Sequence, residues 1–123
     1  MAENKLVDLS FELAKTIVNM IDNITVTKSA YMVNQLARSA TSIGANIYEA
    51  QYAHSKPDFI AKLEIALKEA NETDYWLKLL VQTNRISEEE YKNAEKLCGN
   101  LRRLLIASCS TAKANLNNKN SKP

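Results

Sequence analysis

Apolar residues recur along this chain at intervals of three and four, in stretches long enough for helices of several turns. The first stretch covers about residues 5–23. Leu6, Leu9, Leu13, Ile17, Met20 and Ile24 form one stripe, and Val7, Phe11, Ala14, Val18 and Ile21 form a second beside it. On a helix the two stripes merge into the wide apolar face that a bundle buries. A second helix is predicted over about 28–53, with Met32, Leu36, Ala40, Ile43, Ile47 and Ala50 inward and Thr27 or Ser29 as its N-cap. Small residues are dense here, at Ala37, Ala40, Gly44 and Ala45. A glycine inside a helix costs roughly 1 kcal/mol relative to alanine, so Gly44 predicts the close approach of another helix backbone.

The third and fourth helices carry their own start signals. Ser55-Lys56-Pro57-Asp58 is a variant capping box with proline in the first turn, where its missing N–H has no helical partner. The helix it opens is predicted to run to about Thr83, with Phe59, Leu63, Leu67, Ala70, Leu77 and Leu80 or Val81 inward. Asn84-Arg85-Ile86 reads as the turn. Ser87-Glu88-Glu89-Glu90 is a full capping box that places acids at the positive end of the helix dipole. Tyr91, Ala94, Cys98, Leu101, Leu105, Cys109, Ala112 and Leu116 then mark the inner face, widened by Leu97 and Leu104. Four helices with short connections must run up, down, up and down. The fold class is therefore all-α, an antiparallel up-down-up-down four-helix bundle over residues 1–116, followed by a frayed polar tail at 117–123.

Composition agrees with this reading. The chain has 123 residues, 46% of them hydrophobic and 24% charged, which suits one domain with a real core. Two Gly and two Pro are too few for the turns of a β-rich fold. No apolar run approaches the ~20 residues that cross a bilayer. The N-terminal stretch mixes acids into its apolar pattern, unlike a secretory signal, so a cytoplasmic protein is expected. Cys98 and Cys109 lie on one predicted helix, roughly 16 Å apart by its rise. That is beyond disulfide reach, and both read as small core residues. With His54 the only histidine, no Cys/His metal cluster is expected.

Charge is unevenly placed. The formal net charge is +2, yet residues 101–123 hold Arg102, Arg103, Lys113, Lys119 and Lys122 with no acid. Arg102, Arg103, Lys113 and Lys119 are candidate contacts to a nucleic acid; the alternative is a solvated helix end whose cations suit the dipole. No phosphate-binding glycine loop, nucleophile elbow or metal-spaced cluster occurs, and a di-iron bundle would need more than one histidine. Glu69 and Glu72, among Lys62, Lys68 and Lys78, read as a solvated face. The expectation is a protein without enzymatic activity, metal or cofactor.

A polar line runs along the second helix. Arg38, Ser42, Asn46 and Glu49, spaced by four, four and three, share one face, with Gln35 and Ser39 beside them. It reads as a wet face, as a polar network at a helix–helix or subunit contact, or as a ligand or RNA contact. Tyr48 and Tyr52, and Tyr75 and Trp76, form two aromatic clusters that read as core or subunit contacts rather than base-stacking platforms.

The segment Gln35–Ala50 resembles the helix-two signature of the four-helix-bundle family of 23S rRNA intervening-sequence proteins. The pattern L-x-R-[AS]-[AS]-x-S-[IV]-x-x-N-[IL]-x-E-G falls on Leu36, Arg38, Ser39, Ala40, Ser42, Ile43, Asn46, Ile47 and Glu49, with Ala50 in place of the final Gly. Asp58-Phe59, Ile65-Ala66-Leu67, Glu72-Thr73 and Trp76-Leu77 resemble the family's third helix, although Lys68-Glu69 stand where Gly-Ser is common. The resemblance implies an antiparallel bundle that assembles as a ring-shaped homopentamer, with an RNA association suggested by genes lying inside rRNA insertions. A related branch serves as the accessory subunit of a retroelement reverse transcriptase, which implies a protein partner as the alternative. Under this resemblance Arg38, Ser42, Asn46 and Glu49 are a structural or assembly motif.

Overall fold

The computed structural model describes residues 2–24 and 29–121, and the side chains of 5–24 and 29–117. Within them the chain forms α1 (Ala2–Asp22), α2 (Ala30–Ala50), α3 (Lys56–Gln82) and α4 (Glu88–Ser121), with no strand among the described residues. Each helix packs on its neighbours in the chain, α1 closes onto α4, and among the described residues the diagonal pairs do not meet. Cross-links give the directions. Arg38 reaches forward along α3 to Glu69, while Glu49, later in α2, pairs with Lys62, earlier in α3. Arg102 bonds Asn71 and Lys113 pairs with Glu64, so α3 and α4 are antiparallel too.

The helix boundaries follow local chemistry. Ser55 Oγ accepts the backbone N–H of Asp58 at 3.2 Å, with Pro57 in the first turn. Ser87 and Glu90 exchange two bonds, N–H to Oε1 at 2.9 Å and N–H to Oγ at 3.0 Å, which completes the capping box. α3 ends in a Schellman motif. Asn84 sits at φ 60°, and the N–H groups of Arg85 and Asn84 donate back to the carbonyls of Leu80 and Val81. Asparagine tolerates this left-handed position better than most side chains.

The core consists of the first stripe of α1 with the predicted inner residues of the other helices. Leu6, Leu13, Ile17, Leu36, Ile43, Ile47, Leu63, Leu77, Leu80, Leu101 and Leu105 are fully enclosed. On α3 the enclosed set is rotated slightly from the predicted one: Ile60, Ala66 and Thr73 are buried, whereas Phe59, Leu67 and Val81 pack at the edge of the core.

Several expectations are corrected. Ser29 makes no capping bond through its side chain; it is buried, and its Oγ accepts from Arg85 Nε across the bundle end. The alternative cap, Thr27, lies outside the described residues. The element near Gly44 is a side chain, not a helix backbone: a Cβ at Gly44 would stand 3.4 Å from Ser10 Oγ of α1. α4 continues to Ser121, so residues 117–121 of the stretch read as a tail lie on the same helix. In the second stripe of α1, Phe11 and Val18 are exposed, so the apolar face is wider than the core it covers.

Candidate functional site

The predicted polar line lies along the outer seam between α2 and α3. Arg38 donates through Nη1 to both carboxylate oxygens of Glu69 at 3.3 Å, pairs with Glu72, and donates through Nε to Gln35 Oε1 at 3.3 Å. Glu49 accepts from Lys62 Nζ at 3.1 Å. Asn46 donates to the carbonyl of Ser42 at 2.9 Å, within α2. No hydrogen bond from the Ser42 hydroxyl occurs among the described residues, and Ser42 is half-buried. Glu69 and Glu72 thus face an arginine of the neighbouring helix instead of forming a solvated face. Beneath them lies a layer that sequence reading missed. Thr73 Oγ1 bonds Ser39 Oγ at 2.9 Å in the buried interior of the same seam.

The C-terminal cations do not act as one free patch. Arg102 bonds Asn71 Oδ1 at 3.4 Å, and Lys113 pairs with Glu64 at 2.7 Å, which raises the Lys113 pKa. Arg103 is exposed and bonds Asn100 on its own helix. The side chain of Lys119 lies outside the described residues. Lys92 and Lys96 share the outer face of α4 with Arg103, at spacings of four and seven, and are exposed. Neither was among the cations expected from the sequence.

Neither thiol is poised for chemistry. Burial pushes Cys98 up to about 12 and Cys109 in the same direction, and Cys98 Sγ donates weakly to the Ala70 carbonyl at 3.5 Å. Among the described residues no three His, Cys, Asp or Glu side chains gather as metal ligands. A groove of about 720 Å³ opens where α4 passes α1 and the α2–α3 corner, lined by Leu6, Ala50, Phe59, Leu104, Ser108 and Ala112 among others. Its lining includes no acid and no histidine.

The exposed large apolar residues carry more information. Phe11, Val18, Tyr31, Tyr48, Tyr52, Ile65, Tyr75 and Ile106 are each at least 43% exposed. Ser10 and Gly44 mark where α1 meets α2. Phe11 and Val18 lie further round α1 on that flank, and Tyr48 and Tyr52 further round α2 on the flank facing α1. The rings of Tyr48 and Tyr52 are 5.7 Å apart. On the opposite flank of α2, Tyr31 packs edge-on to Trp76 of α3 at 5.9 Å, and Tyr75 packs edge-on to the same indole at 5.0 Å. The four tyrosines are therefore exposed, while Trp76 is half-buried and packs against the core. No described helix is long and apolar enough to cross a membrane.

Comparison with known proteins places this geometry. No curated protein matches the chain. A crystal structure of a protein of unknown function from the S23 ribosomal protein family of Bacteroides thetaiotaomicron superposes with a TM-score of 0.82. It is 46% identical, and the match covers 89% of this chain and 99% of that one. The profile of the 23S rRNA-intervening sequence protein family matches residues 2–107, and the chain belongs to that family.

Proposed function

We propose that this chain is a non-enzymatic binding protein that works as an oligomer of identical bundles and associates with RNA or another nucleic acid. The observation that carries the reading is the apolar face over the α1–α2 seam, where Phe11, Val18, Tyr48 and Tyr52 stand in the open. Exposed large apolar side chains gathered on one side of a bundle mark association sites. The family resemblance implies a ring of five copies. In such a ring the cations of α4 would repeat around the assembly, so contacts that are weak in one copy act together on a phosphate backbone. The description of the family ties its members to insertions in 23S rRNA. The chemistry supports binding over catalysis: the thiols are held protonated, and Glu49, Glu64 and Glu69 are each paired with a cation.

A protein partner is the second reading. It is favoured by the modest net charge of +2 and by the engagement of Arg102 and Lys113 with α3, which leaves less basic surface free.

Light scattering on the purified protein, with fluorescence-polarisation titration of structured RNA and duplex DNA at about 50 and about 200 mM salt, tests both. The expected result is an oligomer whose RNA affinity falls steeply with salt. An oligomer indifferent to both nucleic acids would reject the first reading in favour of the second, and a monomer would reject the assembly.

A further inference from the structure

We propose that the groove between α4 and the α2–α3 corner binds a free amphipathic carboxylate, an acyl chain of medium length ending in one carboxyl group. The inference is independent of the assembly and the nucleic-acid association proposed above.

The groove exists because small side chains meet at this end of the bundle. Ala50 and Ala53 stand at the corner and Ala107 and Ala112 on α4, which leaves a space of about 720 Å³ between the elements. Small-molecule pockets have volumes of about 300–1,000 Å³. Leu6 and Phe59 add apolar wall from α1 and α3. Along α4 the lining runs from Leu104 to Asn115, about 16 Å at the rise of a helix. The space is therefore elongated, as an extended chain requires.

The two ends of the groove differ. The contacts Arg102–Asn71 and Lys113–Glu64 set the antiparallel register of α4 on α3. Lys56 begins α3, ahead of Glu64, so it lies towards the same end of the bundle as Thr111 and Asn115. Leu104 lies at the other end of the lining, towards the middle of the bundle. One end is thus polar and open, and the other is apolar.

Charge selects the ligand. Among the described residues Lys56 is the one charged member of the lining, and no acid faces it there. Lys62, Lys78 and Lys113 are paired with carboxylates, whereas Lys56 is exposed and in no ion pair among the described residues. Lys56 is also the first residue of α3, at the positive end of that helix. Asp58, the acid of the same turn, accepts the His54 N–H and lies outside the lining. A carboxylate beside Lys56, with Thr111 and Asn115 as neutral donors, leaves its alkyl chain to run along the alanines towards Leu104. A cationic head would meet the lysine without a counter-charge, and a ligand polar throughout would set unpaired groups against the apolar walls.

Equilibrium dialysis of the full-length protein against labelled dodecanoate, dodecylammonium and acetate, each alone and below micellar concentration, tests the site. The expected result is one dodecanoate per chain, with dodecylammonium and acetate each bound about tenfold or more weakly. Two variants at exposed positions locate it, and circular dichroism checks that both fold. Ala107→Trp fills the groove and should abolish binding. Lys56→Glu should weaken it by about tenfold or more, the worth of one charge-assisted hydrogen bond. No binding of dodecanoate by the wild type overturns the inference. Equal binding of dodecylammonium overturns it as well, because charge then selects nothing. Binding unchanged in Ala107→Trp would place the chain on apolar surface elsewhere, such as that around Phe11 and Tyr48, and binding unchanged in Lys56→Glu would remove the proposed contact to the head group; either result overturns the assignment.

Discussion

Thr73 Oγ1 and Ser39 Oγ lie 2.9 Å apart in the α2–α3 seam, and both residues are fully enclosed. The backbone takes part as well: Ser39 Oγ donates to the Leu36 carbonyl at 3.3 Å, and the single hydroxyl proton of Thr73 is shared between Ser39 Oγ and the Glu69 carbonyl, each at 2.9 Å. Two polar side chains thus enter the core with their needs met. Thr73→Val keeps the shape and removes one partner, and should cost about 1–2 kcal/mol in urea denaturation. Adding Ser39→Ala should cost less than the sum of the single changes, with a coupling of about 0.5 kcal/mol or more, because the first change already breaks the pair. Strict additivity would show the two hydroxyls to be independent.

Gly44 offers room for one carbon. The nearest atoms to an added Cβ are Ser10 Oγ at 3.4 Å and Ser10 Cβ at 3.5 Å, an ordinary contact. Gly44→Ala is therefore expected to stabilise the bundle by up to about 1 kcal/mol through helix propensity. Gly44→Leu should instead lower the thermal midpoint by forcing α1 away from α2. Loss of stability in the alanine variant would show that the seam is tighter than its geometry indicates.

Cys98 should be silent to thiol reagents at neutral pH in the folded protein and react once the chain is unfolded. Its folded pKa, about 12, lies above the ordinary value of 9.0, so the folded state holds this proton more tightly than the unfolded chain. Its contribution to stability is complete below pH 9 and is lost as pH rises towards 12. The slope is at most about 1.4 kcal/mol per pH unit. Lys78 and Lys113, both raised by hydrogen bonds to carboxylates, act in the same direction. Denaturation profiles at alkaline pH should be shallower in Cys98→Ala than in the wild type.

The cations of α4 should rank by how free they are. Exchanging Lys92, Lys96 and Arg103 for glutamine should lower the salt slope of RNA binding by about 0.7–0.9 for each phosphate contact removed. Arg102→Gln and Lys113→Gln should change it less, because Asn71 and Glu64 already occupy those side chains. Equal effects at all five positions would mean that RNA displaces the pairs with α3.

Removing the first-turn cap of α4 tests a feature legible in the sequence. Ser87→Ala deletes the acceptor for the Glu90 N–H, and about 1 kcal/mol of stability should go with it.

Features that depend on neighbours along the chain could be read directly from the order of the residues. The apolar period gave four helices, because residues three and four apart share a helical face whatever lies opposite. The capping boxes at Ser55 and Ser87 were legible because their donors and acceptors sit three residues apart. The family was legible in the line from Leu36 to Glu49 for the same reason. Tertiary structure decided everything that depends on what lies across a seam. Period alone put Phe11 and Val18 inside with Leu13 and Ile17, but these two lie too far round α1 for α2 to cover them. Glu69 and Glu72 looked solvated among lysines of their own helix until α2 brought Arg38 to them. Arg102 and Lys113 looked free until α3 supplied Asn71 and Glu64. A hydrogen bond or ion pair between helices joins residues far apart in the chain, 31 positions for Arg38–Glu69 and 34 for Ser39–Thr73. No local spacing encodes such a pair, and only the rotation of each helix about its own axis, fixed by packing of the whole core, determines which of them form.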